Sequence, residues 1–261
     1  MTFRVFYLGT TEPVYPLAIE GITEINKRII PINSDSSPCY PPVKIFYRLM
    51  NIPKAYKSLS PYNMLFTLTD ISDRFETFLK NWFDKADLLE PFYNLYFGIL
   101  YNPPTNPRPR FLSLIQAVES FHRRKFGGQY LKKEDYNKIY EVLTKAIPDD
   151  VVCDLKERLK EYLKYGNEFS LRKRLKGIFK EYQEILNKFI ENQNAFIELV
   201  INTRNYLTHH DEELRESAAN SKEITSLTER LKMLAEICLL TELEFSSEEI
   251  KGFFLRKNIF T

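Results

Sequence analysis

The 261-residue sequence predicts a mainly α-helical bundle preceded by a small β-containing N-terminal segment. Three observations carry this. Eight of the 14 prolines fall before residue 62, glycine is scarce at 8, and from Ser72 onward apolar side chains recur at the three-and-four spacing of a helix face.

Phe3-Arg4-Val5-Phe6-Tyr7-Leu8 before Gly9, and residues 22–30 before Pro31, read as two β segments. Between Pro31 and Pro61 the serine, proline and tyrosine content predicts a long irregular connection, interrupted by a short apolar piece at 43–50. The expected organisation is a short β and irregular segment over 1–69 and a helical domain over 70–261. Ser72 is the expected N-cap of the first helix, with Asp73 in its first turn and Phe75, Phe78, Leu79, Trp82, Phe83 and Ala86 along one face. Further helices are expected at 91–101, 111–126, 133–146, 149–165, 168 to about 190, 192–208 and 221–243. The breaks have local causes: the Asn102 to Pro107 run forbids helix, Gly127-Gly128 and Gly166-Asn167 each stop one, and Pro148 starts one. No internal repeat is visible.

Composition narrows the function classes. Hydrophobic residues at 44% supply an ordinary core, and a net charge of +2 does not mark a nucleic-acid binder, so a polyanion would need a local patch. Cys39, Cys153 and Cys238 are odd in number and widely spaced, which suits free thiols in a reducing cytosol. Cys-x-x-Cys and His-Glu-x-x-His patterns are absent, so no metal or cofactor site is expected. No apolar run approaches the roughly 20 residues that cross a bilayer, and Met1 to Thr10 lacks a charged leader followed by an apolar block. The expectation is a cytoplasmic protein with no membrane partner.

The helix ending near Thr208 carries the most chemistry. At about 100° per residue, Phe196, Leu199, Val200, Thr203 and Leu207 form its core stripe, and Glu198, Asn202, Asn205 and His209 line the opposite face. Arg204 lies about 100° from Asn205, but its long side chain can swing toward the Asn205 and His209 side. A guanidinium can grip phosphate through two parallel hydrogen bonds and offset charge that builds up in phosphoryl transfer. An imidazole with a pKa of about 6.5 can move a ribose 2′-hydroxyl proton near neutral pH. The same spacing also fits a merely solvated polar face.

Arg204-Asn205-Tyr206-Leu207-Thr208-His209-His210-Asp211 resembles the Arg-Asn-x-x-x-His signature of the HEPN superfamily. The segment from Arg110 to Arg124 is similar to the first core helix of its abortive-infection, Apea-like branch, and 73–101 is similar to the segment preceding that domain. The resemblance covers roughly 70–245. It implies a HEPN-type helical bundle that cuts RNA without a metal or cofactor, in a defence or toxin setting. It implies Arg204 and His209 as the catalytic pair, Asn205 as a positioning residue, and a homodimer whose two motifs share a cleft. Members of the branch carry a larger N-terminal β domain, so the sensing role of 1–69 is expected to be truncated or absent.

The gap between the motif's Arg and His varies in the family. His210 is therefore kept as a second candidate, with the substrate-binding set Glu119, His122, Arg123 and Arg124. Glu119 and Arg123 are four residues apart, which equally suits a surface ion pair, and His122 borders the apolar stripe of its helix. The run Arg172-Lys173-Arg174-Leu175-Lys176 could track an RNA backbone through phosphate contacts. The alternative function is a non-catalytic module of the same fold that binds RNA, nucleotide or protein.

Overall fold

A computed structural model describes residues 20–21, 43–44, 64–101, 104 and 106–256. In the N-terminal part, β1 (Glu20–Gly21) pairs antiparallel with β2 (Val43–Lys44), Glu20 opposite Lys44. The strands expected at 3–8 and 22–30 lie outside the described residues, as does Cys39.

The helical body opens earlier than expected, with α1 (Leu68–Ile71), a 3₁₀ turn (Ser72–Arg74) and α2 (Phe75–Asp84). Thr67, not Ser72, is the cap. The Asp70 carboxylate accepts from the Thr67 N–H (2.6 Å) and hydroxyl (2.9 Å), while the Ser72 hydroxyl bonds within the turn to the Thr69 carbonyl. Arg256 also reaches Asp70 (3.3 Å), tying both ends of the body together.

α3 (Ala86–Tyr101) contains Pro91 rather than starting at it. α4 (Pro107–Phe126) begins four residues before its expected start, because prolines in a first turn sacrifice no helical hydrogen bond, and Asn106 caps it by accepting from the Arg108 N–H (2.9 Å). α5 (Lys133–Lys145) and α6 (Cys153–Tyr165) follow. The helix expected over 168–190 is two pieces, α7 (Leu171–Glu181) and α8 (Gln183–Leu186). α7 starts late because Phe169 N–H is taken by the Gly128 carbonyl (2.8 Å) and Glu168 bridges Gln129. α9 (Gln193–His209), a 3₁₀ turn (Glu212–Leu214) and α10 (Glu223–Glu242) come next. The last helix, α11 (Ser247–Arg256), was not expected. Its signal was Ser246 followed three residues later by Glu249, whose carboxylate accepts from Ser246 N–H (2.8 Å).

α10 is buried on nearly every side and forms the axis of the bundle. α4 runs alongside it in the same direction, with Arg110 on Glu229 (3.0 Å) at one end and Lys125 on Glu242 at the other. α3 packs on α4 through Phe92 and Phe121 (ring centroids 5.9 Å apart), and Trp82 of α2 stacks on Tyr93 (4.6 Å). The charges buried within α10 are paired: Glu236 accepts from the Tyr96 hydroxyl (2.8 Å) and lies 3.5 Å from Lys232, and Glu242 meets both Lys85 and Lys125. α7 and α9 complete the layer, joined by Phe179 and Phe196 (5.7 Å). No described helix is long and apolar enough to cross a membrane.

Candidate functional site

α9 begins where Asn192 accepts from the Ala195 N–H (2.9 Å). Its buried stripe is Phe196, Ile197, Val200, Ile201 and Thr203, whereas Leu199 and Leu207 are half-buried. The stripe is thus turned toward Ile197 and Ile201 relative to expectation, following the packing of α7 along the helix. Thr203 is fully buried, and its hydroxyl oxygen accepts from the Ala219 N–H (2.8 Å), fastening the chain beyond α9 back onto it. The helix ends at His210, which adopts the left-handed conformation (φ 52°) and donates its N–H to the Tyr206 carbonyl (2.8 Å). Asp211 then caps the 3₁₀ turn by accepting from Glu213 N–H (3.1 Å).

This framework sets the polar face. Asn205 and His209 lie about 40° apart around α9, while the Arg204 backbone is about 140° from that of His209. Arg204 Nη1 donates to Asn205 Oδ1 (3.0 Å), which draws the half-buried guanidinium round to the Asn205 and His209 side. His209 is exposed, and its ring makes no hydrogen bond or ion pair among the described residues. His210 is also exposed, but its ring lies edge-on to Tyr206 (6.2 Å). Further along the same face Glu198 is already held by a two-pronged contact from Arg172, one arm at 2.8 Å. A guanidinium and an amide are thus joined on this face, and an open imidazole lies one helical turn beyond the amide at the exposed end of the helix.

The second candidate set gathers at the end of α4. Arg123 meets Glu119 (3.5 Å) and Glu168, and Arg124 is exposed. His122 is inside the packing, with its Nδ1 3.4 Å from Arg174 Nη1. Burial first, and the Arg174 charge second, push its pKa down to about 4. A neutral ring beside a guanidinium presents a bare Nδ1, leaving the proton on Nε2, which faces Gly177. A Cβ at Gly177 would lie only 2.7 Å from that nitrogen, so the glycine makes room for the ring. The ring expected to bind substrate thus lies inside the packing.

Arg174 is the residue that sequence reasoning did not separate from its neighbours. It is 1% exposed, donates Nε to the Phe169 carbonyl (3.1 Å) and Nη1 to the Gly127 carbonyl (2.8 Å), and lies 4.0 Å from Glu119. Its guanidinium occupies the space that a Cβ at Gly128 would need, and Gly128 also has a positive φ of 141°. With Arg123, Gly127, Gln129 and Glu168 it borders a cleft of about 250 Å³. The basic run on α7 is therefore divided: Arg172 turns to α9, Arg174 turns to α4, and Lys173 lies over the Phe169 ring (5.6 Å). It forms no continuous cationic track. No hydrogen bond or ion pair among the described residues joins the Arg204 set to the Glu119 set, and α7 stands between them.

A model of the Apea-like HEPN family matches residues 112–249, more than half of the chain and inclusive of both candidate sets. Neither curated proteins nor solved structures give a match.

Proposed function

Because the chain belongs to the Apea-like HEPN family, we propose that it is an endoribonuclease that needs no metal and cuts RNA with the end of α9. The observation that carries this is the Arg204 to Asn205 hydrogen bond, which turns a guanidinium toward the helix face from which His209 projects into solvent. Arg204 grips the scissile phosphate with the N–H groups that Asn205 does not occupy. The ribose 2′-oxygen attacks phosphorus while the bond to the 5′-oxygen breaks, and His209 moves a proton. The products are a 2′,3′-cyclic phosphate and a 5′-hydroxyl. In an in-line displacement the entering 2′-oxygen and the leaving 5′-oxygen lie on opposite sides of phosphorus, so one imidazole takes the 2′-proton and a second acid supplies the 5′-proton. A homodimer with both motifs in one cleft supplies a second imidazole and excludes water from a site that is exposed in one protomer. Asp211, Glu212 and Glu213 repel RNA approaching from beyond α9, which confines entry to that cleft. The setting proposed is cytoplasmic defence, with RNA as the partner.

One observation favours the second reading, a non-catalytic RNA- or nucleotide-binding member of the fold: nothing among the described residues orients the His209 ring. Purified wild type, Arg204→Ala and His209→Ala incubated with mixed cellular RNA in excess EDTA separate the two. Cleavage by wild type alone supports the nuclease. RNA binding without cleavage by any of the three supports the binding module, and cleavage that survives both substitutions defeats the proposed site.

A further inference from the structure

The last turns of α7, the short α8 and the first turn of α9 enclose a cleft of about 230 Å³ at the end of α9 remote from His209. Its polar lining is Lys176 and Lys180 of α7, Gln183 and Asn187 at the two ends of α8, and Gln193 and Asn194 of α9. Phe179 and Ile197, both buried, form its floor. No carboxylate lines it. The acids on these three helices are engaged or turned away: Glu198 is held by Arg172, Glu184 accepts from the Ser247 hydroxyl (2.8 Å), and Glu181 lies about 100° round α7 from Lys180. Lys176 and Lys180 are exposed, one helical turn apart, and neither forms an ion pair or side-chain hydrogen bond among the described residues. Two cations thus face solvent beside four carboxamides with no counter-charge between them.

The carboxamides are largely unsatisfied. Gln193 Nε2 donates to Asn187 Oδ1 (2.6 Å), which leaves the Gln193 oxygen, the Asn187 nitrogen and both ends of Gln183 and Asn194 without a side-chain partner among the described residues. Amides that donate and accept side by side match the edge of a nucleobase, whereas an acidic peptide offers acceptors alone. The cleft is also smaller than the roughly 300 Å³ or more of a pocket that encloses a whole small ligand, so it fits one unit of a polymer. Its place on the fold points the same way. α7 runs antiparallel to α9, with Arg172 at Glu198 and Phe179 at Phe196, so the step from Lys180 to Lys176 leads toward the Arg204 end. Gln193, Ile197 and Arg204 lie within about 40° of one another around α9, and Asn194 and Arg204 are about 15 Å apart along it. A strand stacked at roughly 3.4 Å per nucleotide covers that in four or five steps.

We propose that this cleft is a subsite for single-stranded RNA, a few nucleotides from the phosphate that Arg204 grips. Lys176 and Lys180 hold successive phosphates, and the carboxamides meet the edge of the base between them. The choice of polymer rests on the RNA-cleaving role proposed above.

Fluorescence anisotropy of the full chain with a labelled, fully 2′-O-methylated 20-nucleotide strand in EDTA tests the subsite without requiring cleavage. Lys176→Gln/Lys180→Gln raises the dissociation constant about 10-fold at low salt, and the slope of log affinity against log salt falls by about 1.4, two single-strand phosphate contacts at roughly 0.7 each. Lys176→Arg/Lys180→Arg keeps the wild-type slope. Gln183→Ala/Asn194→Ala weakens binding about 5-fold with the slope unchanged, since it removes base contacts and no charge. All three pairs are exposed, and circular dichroism matches wild type. Binding by Lys176→Gln/Lys180→Gln within twofold of wild type, an unaltered salt slope, or competition by polyglutamate or a duplex of the same sequence as strong as by the single strand overturns the proposal. A strand held through Lys176 and Lys180 by a protein that cuts no RNA leaves the subsite standing and removes the nuclease, and cleavage lost in Arg204→Ala beside indifferent lysine variants removes the subsite alone.

Discussion

Replacing Arg174 with methionine keeps most of the buried stem volume and removes the guanidinium. Two carbonyls, those of Gly127 and Phe169, lose a charged donor. Bonds of that kind contribute roughly 1.5–3 kcal/mol each, offset in part because a cation no longer has to be desolvated. The expected net loss of unfolding free energy at pH 7.5 is about 2–4 kcal/mol. A second effect follows at acid pH. His122 has a folded pKa of about 4 against an ordinary 6.5, so between those values the unfolded chain binds the proton first. Its contribution is complete above pH 6.5 and is lost as the pH falls through 6.5 toward 4, about 3 kcal/mol in total at roughly 1.4 kcal/mol per pH unit. Arg174→Met removes the smaller cause of that depression and leaves burial, the larger, so the variant's acid-limb slope is shallower than that of wild type. Urea unfolding at pH 7.5, 6 and 5 measures both effects, and an NMR titration of His122 assigns the slope. A variant within about 0.5 kcal/mol of wild type at pH 7.5, or a His122 ring that titrates near 6.5, refutes the reasoning.

Gly177→Ala, which in an ordinary helix interior would gain about 1 kcal/mol, loses about 1–3 kcal/mol in thermal unfolding because its Cβ meets His122 Nε2. His210→Gly relieves a left-handed cap and raises stability by up to about 1 kcal/mol. If His209 is the working imidazole, that variant also keeps cleavage within about threefold of wild type in a gel assay. Arg204→Lys retains charge but loses the planar fork, and its cleavage rate drops about 100-fold or more in the same assay.

The helical character of the chain from residue 70 to about 243 was legible because apolar spacing survives any tertiary arrangement, whereas α11 was missed. The ends of the helices were less so. Ser72 looks like a cap, yet Thr67 and Asp70 start the helical region first, and Asp70 is in turn fixed by Arg256, a partner 186 residues away that no local pattern reveals. The run from Glu168 to Ile190 keeps helical periodicity, but its first residues are claimed by Gly128 and Gln129, where the chain enters and leaves the α5 and α6 pair. In the candidate site, the Asn205 and His209 alignment followed from spacing alone, and the swing of Arg204 toward Asn205 was within reach of its side-chain length. The division of Arg172, Lys173 and Arg174 was not legible. Three adjacent cations differ only in which neighbouring helix they meet, and that is decided by the packing of α7 between α4 and α9.

A labelled RNA and its fully 2′-O-methylated copy, incubated with the protein in EDTA, bear most directly on the nuclease account. Attack by the neighbouring hydroxyl predicts fragments ending in 2′,3′-cyclic phosphate and 5′-hydroxyl from the first and an intact second strand. Cleavage of the methylated copy at a comparable rate, or fragments ending in 3′-hydroxyl and 5′-phosphate, would contradict it.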